Sequence, residues 1–159
     1  MSMSEGSSPR RSFTLAEAHQ LVGSELGVSD WYQIEQPQVD AFADITDDHQ
    51  WIHTDSAETR AGPFEGAIAH GLLLLSLTTK FARETGVFPR DAGACLLYGY
   101  EKVRFKAPVK VGKRVRCRST LVRVEELPGR VVLTVRFKVE VEDQKMSAFS
   151  ADCLLVCLK

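Results

Sequence analysis

Neither a disulfide framework nor a membrane span is visible in this chain. The four cysteines, Cys95, Cys117, Cys153 and Cys157, form no C-x-x-C pair, and each lies in an apolar segment. That pattern reads as reduced core thiols and favours a cytoplasmic home. A bilayer span needs about 20 apolar residues, and the longest apolar run, from Ala67 to Leu77, is too short and too interrupted, so no membrane partner is expected. The N-terminal M-S-M-S-E-G-S-S-P-R-R has no hydrophobic region, and none follows Arg10 and Arg11, so it does not read as an export signal. Charge of one sign is missing too. With 20 basic and 21 acidic residues the net charge is -1, which leaves no overall field to attract nucleic acid. There is no internal repeat.

What is present suits one folded domain. A chain of 159 residues that is 44% hydrophobic and 26% charged can bury a single core without disulfides or a structural metal. Residues 1–12 read as a disordered tail and 13–159 as the domain. Thr14 and Glu17 have capping-box spacing and predict a helix over Leu15–Leu26, with Gly27 as its stop. Trp31–Gln36 reads as a short strand, and Pro37 opens a helix with Val39, Phe42, Ala43 and Thr46 on one face. A helical turn is expected at Ser56–Ala61. Ile68–Thr85 carries the strongest helical signal, and its leucines surround the axis so nearly completely that burial on most sides is expected. After it the period changes to two. Ala94–Phe105, Arg114–Glu125, the alternating residues 131–142 and Gln144–Leu158 read as strands, with Leu127–Arg130 as a turn. Strands following one buried helix argue for an α+β fold, an antiparallel sheet wrapped around that helix.

The chemistry concentrates in D-D-H-Q-W-I-H-T-D, residues 47–55. Three readings compete. A solvated loop explains the Asp and His residues but not Trp51 and Ile52. A metal site would use His49 and His53 at i, i+4 with Asp47, Asp48 or Asp55, which requires a helix through Gln50–Ile52 that the pattern does not support. The third reading pairs Asp48 with His53 over one water, as a carboxylate and an imidazole that exchange protons near neutral pH.

The stretch A-H-G-L-L, residues 69–73, complements that pair. A helix beginning near Ala69 leaves first-turn N–H groups free, including that of Gly71, to meet a developing oxyanion. Alternatively, Gly71 only lets a neighbouring strand approach. His70 reads as a hydrogen-bonded core histidine.

Residues 42–55, F-A-D-I-T-D-D-H-Q-W-I-H-T-D, followed by P-F-E-G-A-I-A-H-G-L-L at 63–73, resemble the hydratase-2 motif of the MaoC-like dehydratases and (R)-specific enoyl-CoA hydratases. The resemblance is closest to the nodulation protein N-like branch, and it extends through Y-G-Y-E-K-V-R-F-K-A-P-V-K-V-G at 98–112. It implies the hot-dog fold, a homodimer, and a lyase that adds water syn across a trans-2-enoyl thioester or removes it from a (3R)-hydroxyacyl thioester. Asp48 and His53 are implied as the catalytic pair and Gly71 as the thioester-oxygen donor. No metal and no cofactor are implied beyond the CoA or acyl carrier borne by the substrate. Gln50 stands where the common motif has Asn, and Trp51 where it has Pro.

Supporting roles follow from the same resemblance. Gln50 and Ser76 are candidates for supporting hydrogen bonds, with Ser76 equally explained as a small packing residue. Phe64, Ile68 and Leu72 are candidates for the acyl pocket or for ordinary core. Arg104, Lys106, Lys110 and Lys113 suit CoA phosphates, or simply solvate a sheet edge. Two other functions remain open at this stage: an acyl-CoA thioesterase on the same fold, and a nodulation protein N-like module that binds an acyl ligand without turnover.

Overall fold

The computed structural model describes residues 12–159, so all but one residue of the expected tail lies outside the described residues. The secondary structure begins with a 3₁₀ turn, Ala18–Leu21, where a longer helix was expected. The capping box does form: the Thr14 N–H donates to Glu17 Oε2 at 2.8 Å and the Glu17 N–H to Thr14 Oγ1 at 3.3 Å. The helix nonetheless stops, because Gly23 turns at φ 85° and Glu25–Val28 becomes strand β1, paired antiparallel with a later strand. Leu26 and Val28 are buried by that pairing, so tertiary contact overrides a local helical signal.

Tyr32–Gln33 forms a short β2. Helix α1, Gln36–Thr46, carries Pro37 in its first turn and buries Val39 and Ala43, while Thr46 is exposed. Its C-cap is Asp47 in the left-handed conformation (φ 56°), one of few non-glycine types that tolerate it. A 3₁₀ turn, Trp51–His53, and helix α2, Ala57–Ala61, follow, the latter capped by Ser56 Oγ accepting from the Thr59 N–H at 3.1 Å.

The strongest helical segment begins at Gly71, not Ile68. Residues 67–69 are extended instead, and the N–H of Ala69 donates to the Val109 carbonyl at 2.8 Å while that of Val111 donates to the Ala67 carbonyl at 2.9 Å. The helix then runs as α3, Gly71–Ser76, and α4, Thr78–Glu84, with Leu77 as the joint. Leu73, Leu74, Thr78, Phe81 and Ala82 are buried, but Leu72 is 62% exposed and Ser76 and Thr79 face solvent. Burial on most sides was therefore an overestimate. One face packs on the sheet, and part of the opposite face is apolar and uncovered.

Four long strands complete the sheet: β3 Ala94–Phe105, β4 Arg114–Leu127, β5 Arg130–Val141 and β6 Phe149–Leu158. The order is β1-β4-β5-β6-β3, all antiparallel, with β2 also on β4. The β4–β5 turn closes at Gly129 (φ 74°). Alternation in β5 holds where it matters, since Val131, Leu133, Val135, Phe137, Val139 and Val141 are all buried. Val132 and Thr134 are buried as well, at the other face. One edge of the sheet is β3, which exposes Leu96, Leu97 and Tyr98. The four cysteines are free thiols. Burial pushes the Cys153 thiol up to about 11, so it is an inert core group at neutral pH.

Candidate active site

Three segments meet at the start of α3. The first is the turn after α1, where both Asp47 and Asp48 return their N–H groups to the Ala43 carbonyl, Asp48 at 3.1 Å. This left-handed stop lifts Asp48 off the helix. The second is the Trp51–His53 turn, held from several sides: the His53 N–H donates to the Gln50 carbonyl, Gln36 Nε2 to the His53 carbonyl at 2.8 Å, and Thr59 Oγ1 to the Trp51 carbonyl at 3.1 Å. The Trp51 ring lies over Gly62, where a Cβ would come within 3.1 Å of it. Tryptophan in place of the motif's proline thus packs the loop by contact rather than by ring closure. The third segment is 67–70, which pairs with 109–111 on one side and, through the Ile68 N–H, with the Ile52 carbonyl at 3.0 Å on the other.

These segments bring Asp48 and His53 together and add His70, with one ligand-capable atom of each within 4.8 Å of the others. His53 is buried, and its Nδ1 lies 2.7 Å from the Ile68 carbonyl oxygen. A carbonyl only accepts, so the neutral ring carries its proton on Nδ1 and presents the Nε2 lone pair. Burial holds the His53 imidazole below its ordinary value; the Ile68 hydrogen bond opposes this, His70 adds to it and Asp48 opposes it. His53 is therefore poised as a neutral base. The Asp48 side chain is about half exposed, with Oδ2 3.9 Å from His70 Nε2.

A cleft of about 380 Å³ opens beside this cluster, lined by Ile52, His53, Ile68, Gly71, Leu74 and Phe105 with the Lys106–Val109 loop. Its size suits an acyl thioester segment. Gly71 is the first residue of α3, so its N–H has no acceptor within the helix. The Phe105 ring sits where a Gly71 side chain would be: a Cβ would meet it at 3.1–3.2 Å. Close approach by β3 is therefore a real reason for glycine here, alongside the free N–H.

The remaining candidates separate. Of the acyl-pocket residues, Ile68 lines the cleft, whereas Phe64 is half-buried outside it and Leu72 points to solvent. Leu72 misses because it lies on the face of α3 turned away from the buried Leu73 and Leu74. Ser76 donates to the Leu73 carbonyl of its own helix at 2.7 Å and does not reach the pair. Gln50 is exposed and contributes its backbone carbonyl. His49 is exposed beside Asp44 and Asp47, at 3.7 and 3.9 Å, and so is not gathered with the buried His53. Lys106 reaches the cleft, and with Arg104 it joins Lys102, Arg136 and Lys138 in a basic hollow on the outer sheet face. Lys110 faces Glu65 at 3.9 Å, and Lys113 lines neither. Sequence reasoning missed Leu74, Phe105 and residues 107–109, and named Lys106 of that loop only for CoA phosphates. It read His70 as a hydrogen-bonded core histidine, which fits its 3% exposure and its Nε2 contact with the Asp48 carbonyl, but it did not place the ring against His53.

Comparison with known proteins fits this geometry. The family model described as "MaoC like domain" matches residues 17–143. The chain belongs to the MaoC-like family. Among its MaoC-like relatives, it is 42% identical over 143 residues to 3-hydroxyacyl-thioester dehydratase Z of Mycobacterium tuberculosis, covering 89% of this chain and 94% of that one. It is 37% identical over 145 residues to nodulation protein N of Rhizobium leguminosarum bv. viciae, covering 90% of each. The solved (R)-hydratase from A. caviae involved in PHA biosynthesis superposes with a TM-score of 0.70 at 22% identity, over 84% of this chain and 94% of that one, and shares the hot-dog fold. Among the described residues, no helix is long and apolar enough to cross a membrane.

Proposed function

We propose that this MaoC-like chain is an (R)-specific enoyl-thioester hydratase and, in reverse, a 3-hydroxyacyl-thioester dehydratase. The observation that carries the reading is the convergence of Asp48 and the neutral face of His53 beside a cleft walled by the first residue of α3. The name of the dehydratase relative supports it. Asp48 and His53 hold one water. As its oxygen bonds to the β-carbon of the enoyl group, the pair takes up one proton and delivers a proton to the α-carbon on the same face. Charge that develops on the thioester oxygen is met by the Gly71 N–H, a preformed donor that needs no reorganisation. Water addition moves only protons and changes no net oxidation state, so this reading calls for no resident metal or cofactor.

The carrier is CoA or an acyl carrier protein. Lys106 at the cleft mouth, with Arg104 behind it, would meet its phosphates. The working unit is a homodimer, supported by the exposed Leu96, Leu97 and Tyr98 on edge strand β3 and the exposed Leu72 on α3. The protein acts in the cytoplasm, in keeping with its free cysteines.

The test follows the enoyl-thioester absorbance of crotonyl-CoA with wild type, Asp48→Asn and His53→Gln. Loss of absorbance without free thiol in wild type, reduced at least about a hundredfold in each variant, supports the hydratase. Release of thiol would assign a thioesterase. Binding of crotonyl-CoA and longer enoyl-CoAs with no turnover would assign a nodulation protein N-like binding module.

A further inference from the structure

His70 touches both members of the catalytic pair and has no part in the mechanism above. Its Nε2 lies 3.0 Å from the Asp48 backbone carbonyl. Its ring stacks on that of His53 with centroids 3.6 Å apart and planes inclined by 25°, and Phe42 packs on it at 5.1 Å. It is only 3% exposed. It also occupies the N-cap of α3, immediately before Gly71, yet its side chain makes no capping bond.

We propose that His70 is a positioning residue, which ties the Asp48 backbone and the plane of the His53 ring to the start of α3. The Asp48 carbonyl only accepts, so His70 donates from Nε2, which leaves Nδ1 as its second ring nitrogen. That Nδ1 is buried with no partner among the described residues. A structural filler at this place would be served at lower cost by phenylalanine or methionine, which leave no unpaired acceptor. The imidazole offers what they cannot: a flat face for His53 and a donor for Asp48 in one side chain. Among the described residues the Asp48 N–H bonds only to the Ala43 carbonyl, and its carboxylate is half exposed. Without the His70 donor, the Gln36 bond to the His53 carbonyl still ties α1 to the Trp51–His53 turn, but among the described residues nothing else holds the Asp48 carbonyl. The groups facing His53 are then Asp48 from the turn after α1, His70 from the segment before α3, and Lys106 across the cleft.

The catalytic half of this proposal rests on the hydratase reading, so the test has two parts. Long-range ¹H–¹⁵N correlation on the wild-type protein reads the tautomers directly: His70 is expected as Nε2–H and His53 as Nδ1–H. His70→Phe keeps the stacked ring but removes the donor. Its kcat for crotonyl-CoA should fall at least about tenfold with KM changed less than about twofold, since alignment rather than binding is lost. His70→Gln, whose amide can donate to the same carbonyl, should recover kcat to within about threefold of wild type. The Asp48 amide resonance should broaden or shift in the phenylalanine variant and return in the glutamine variant. An Nδ1–H tautomer for His70 would overturn the proposal. So would wild-type kcat in His70→Phe, or equal losses in both variants tracking a common fall in Tm. If wild type fails to hydrate any enoyl-CoA, the function fails while the tautomer and the Asp48 resonance still decide the positioning.

Discussion

Replacing Gly71 by alanine sets two opposing effects against each other at one atom. The new Cβ would lie 3.1 Å from Phe105 Cε1 and 3.2 Å from Cδ1 and Cζ, several tenths of an ångström inside comfortable contact. Gly71 has helical geometry and no positive φ, so alanine brings no backbone strain. Its higher helix propensity contributes up to about 1 kcal/mol of stability. Phe105 is 49% exposed but rests on the fully buried Phe149 at 5.7 Å, so the ring can retreat only outward. That displacement costs about 1 kcal/mol, at the low end for an overpacked contact. The two terms nearly cancel, and Tm should move by less than about 4 °C. Activity has no such compensation. Phe105 and Gly71 both wall the cleft, and the added methyl stands beside the N–H proposed to meet the thioester oxygen. Removal or misplacement of one such donor costs about 100-fold in rate. The assay is kcat/KM for crotonyl-CoA alongside a thermal melt. Retention of kcat/KM within about threefold, with an unchanged melt, would refute the role of the Gly71 N–H. Adding Phe105→Leu separates the causes: partial recovery assigns the loss to ring displacement, and no recovery assigns it to the methyl itself.

The pH dependence has a fixed sign. Burial lowers the His53 value below its ordinary 6.5, so the unfolded chain binds a proton there before the folded one does. Stability should therefore decline as pH falls from about 6.5 toward the folded value, and the acid limb of kcat/KM should lie below 6.5; a limb above it refutes a neutral buried base. Away from the site, Asp152 is buried under Arg136 in a two-pronged pair at 2.7 and 2.8 Å, with Lys102 at 3.5 Å. The Arg136 hydrogen bonds hold its carboxyl below the usual carboxylate range. Arg136→Met should cost about 2 kcal/mol because it leaves a buried carboxylate with Lys102 as its one remaining cation among the described residues, whereas Asp152→Asn leaves a half-exposed guanidinium that water can reach and should cost about 1 kcal/mol. Denaturant melts giving the reverse order would refute the asymmetry.

Much of this protein was legible in its residue order. The strict alternation at 131–142 and the partial alternation at 114–125 marked β5 and β4, because alternating burial is a local consequence of strand geometry, while 94–105 read as a strand without it and β3 is exposed over most of its length. The α1 and α2 helices were marked by Pro37 and Ser56. Asp48, His53 and Gly71 stand in motif positions close in sequence, and short turns bring them together. Four features were decided only by tertiary structure. Leu15–Leu26 has a good capping box yet turns into β1, since pairing with β4 buries Leu26 and Val28. The helix after His70 starts late, since residues 67–69 are claimed by 109–111, and Leu72 falls on its exposed face. Phe105 and the Lys106–Val109 loop reach the cleft from distant sequence, so no local pattern announces them. His70 was legible as a hydrogen-bonded core residue and is one, but an isolated histidine beside leucines carries no mark of which partners it meets. Its hydrogen bond to Asp48 spans 22 residues, and only the folded chain brings the two within reach.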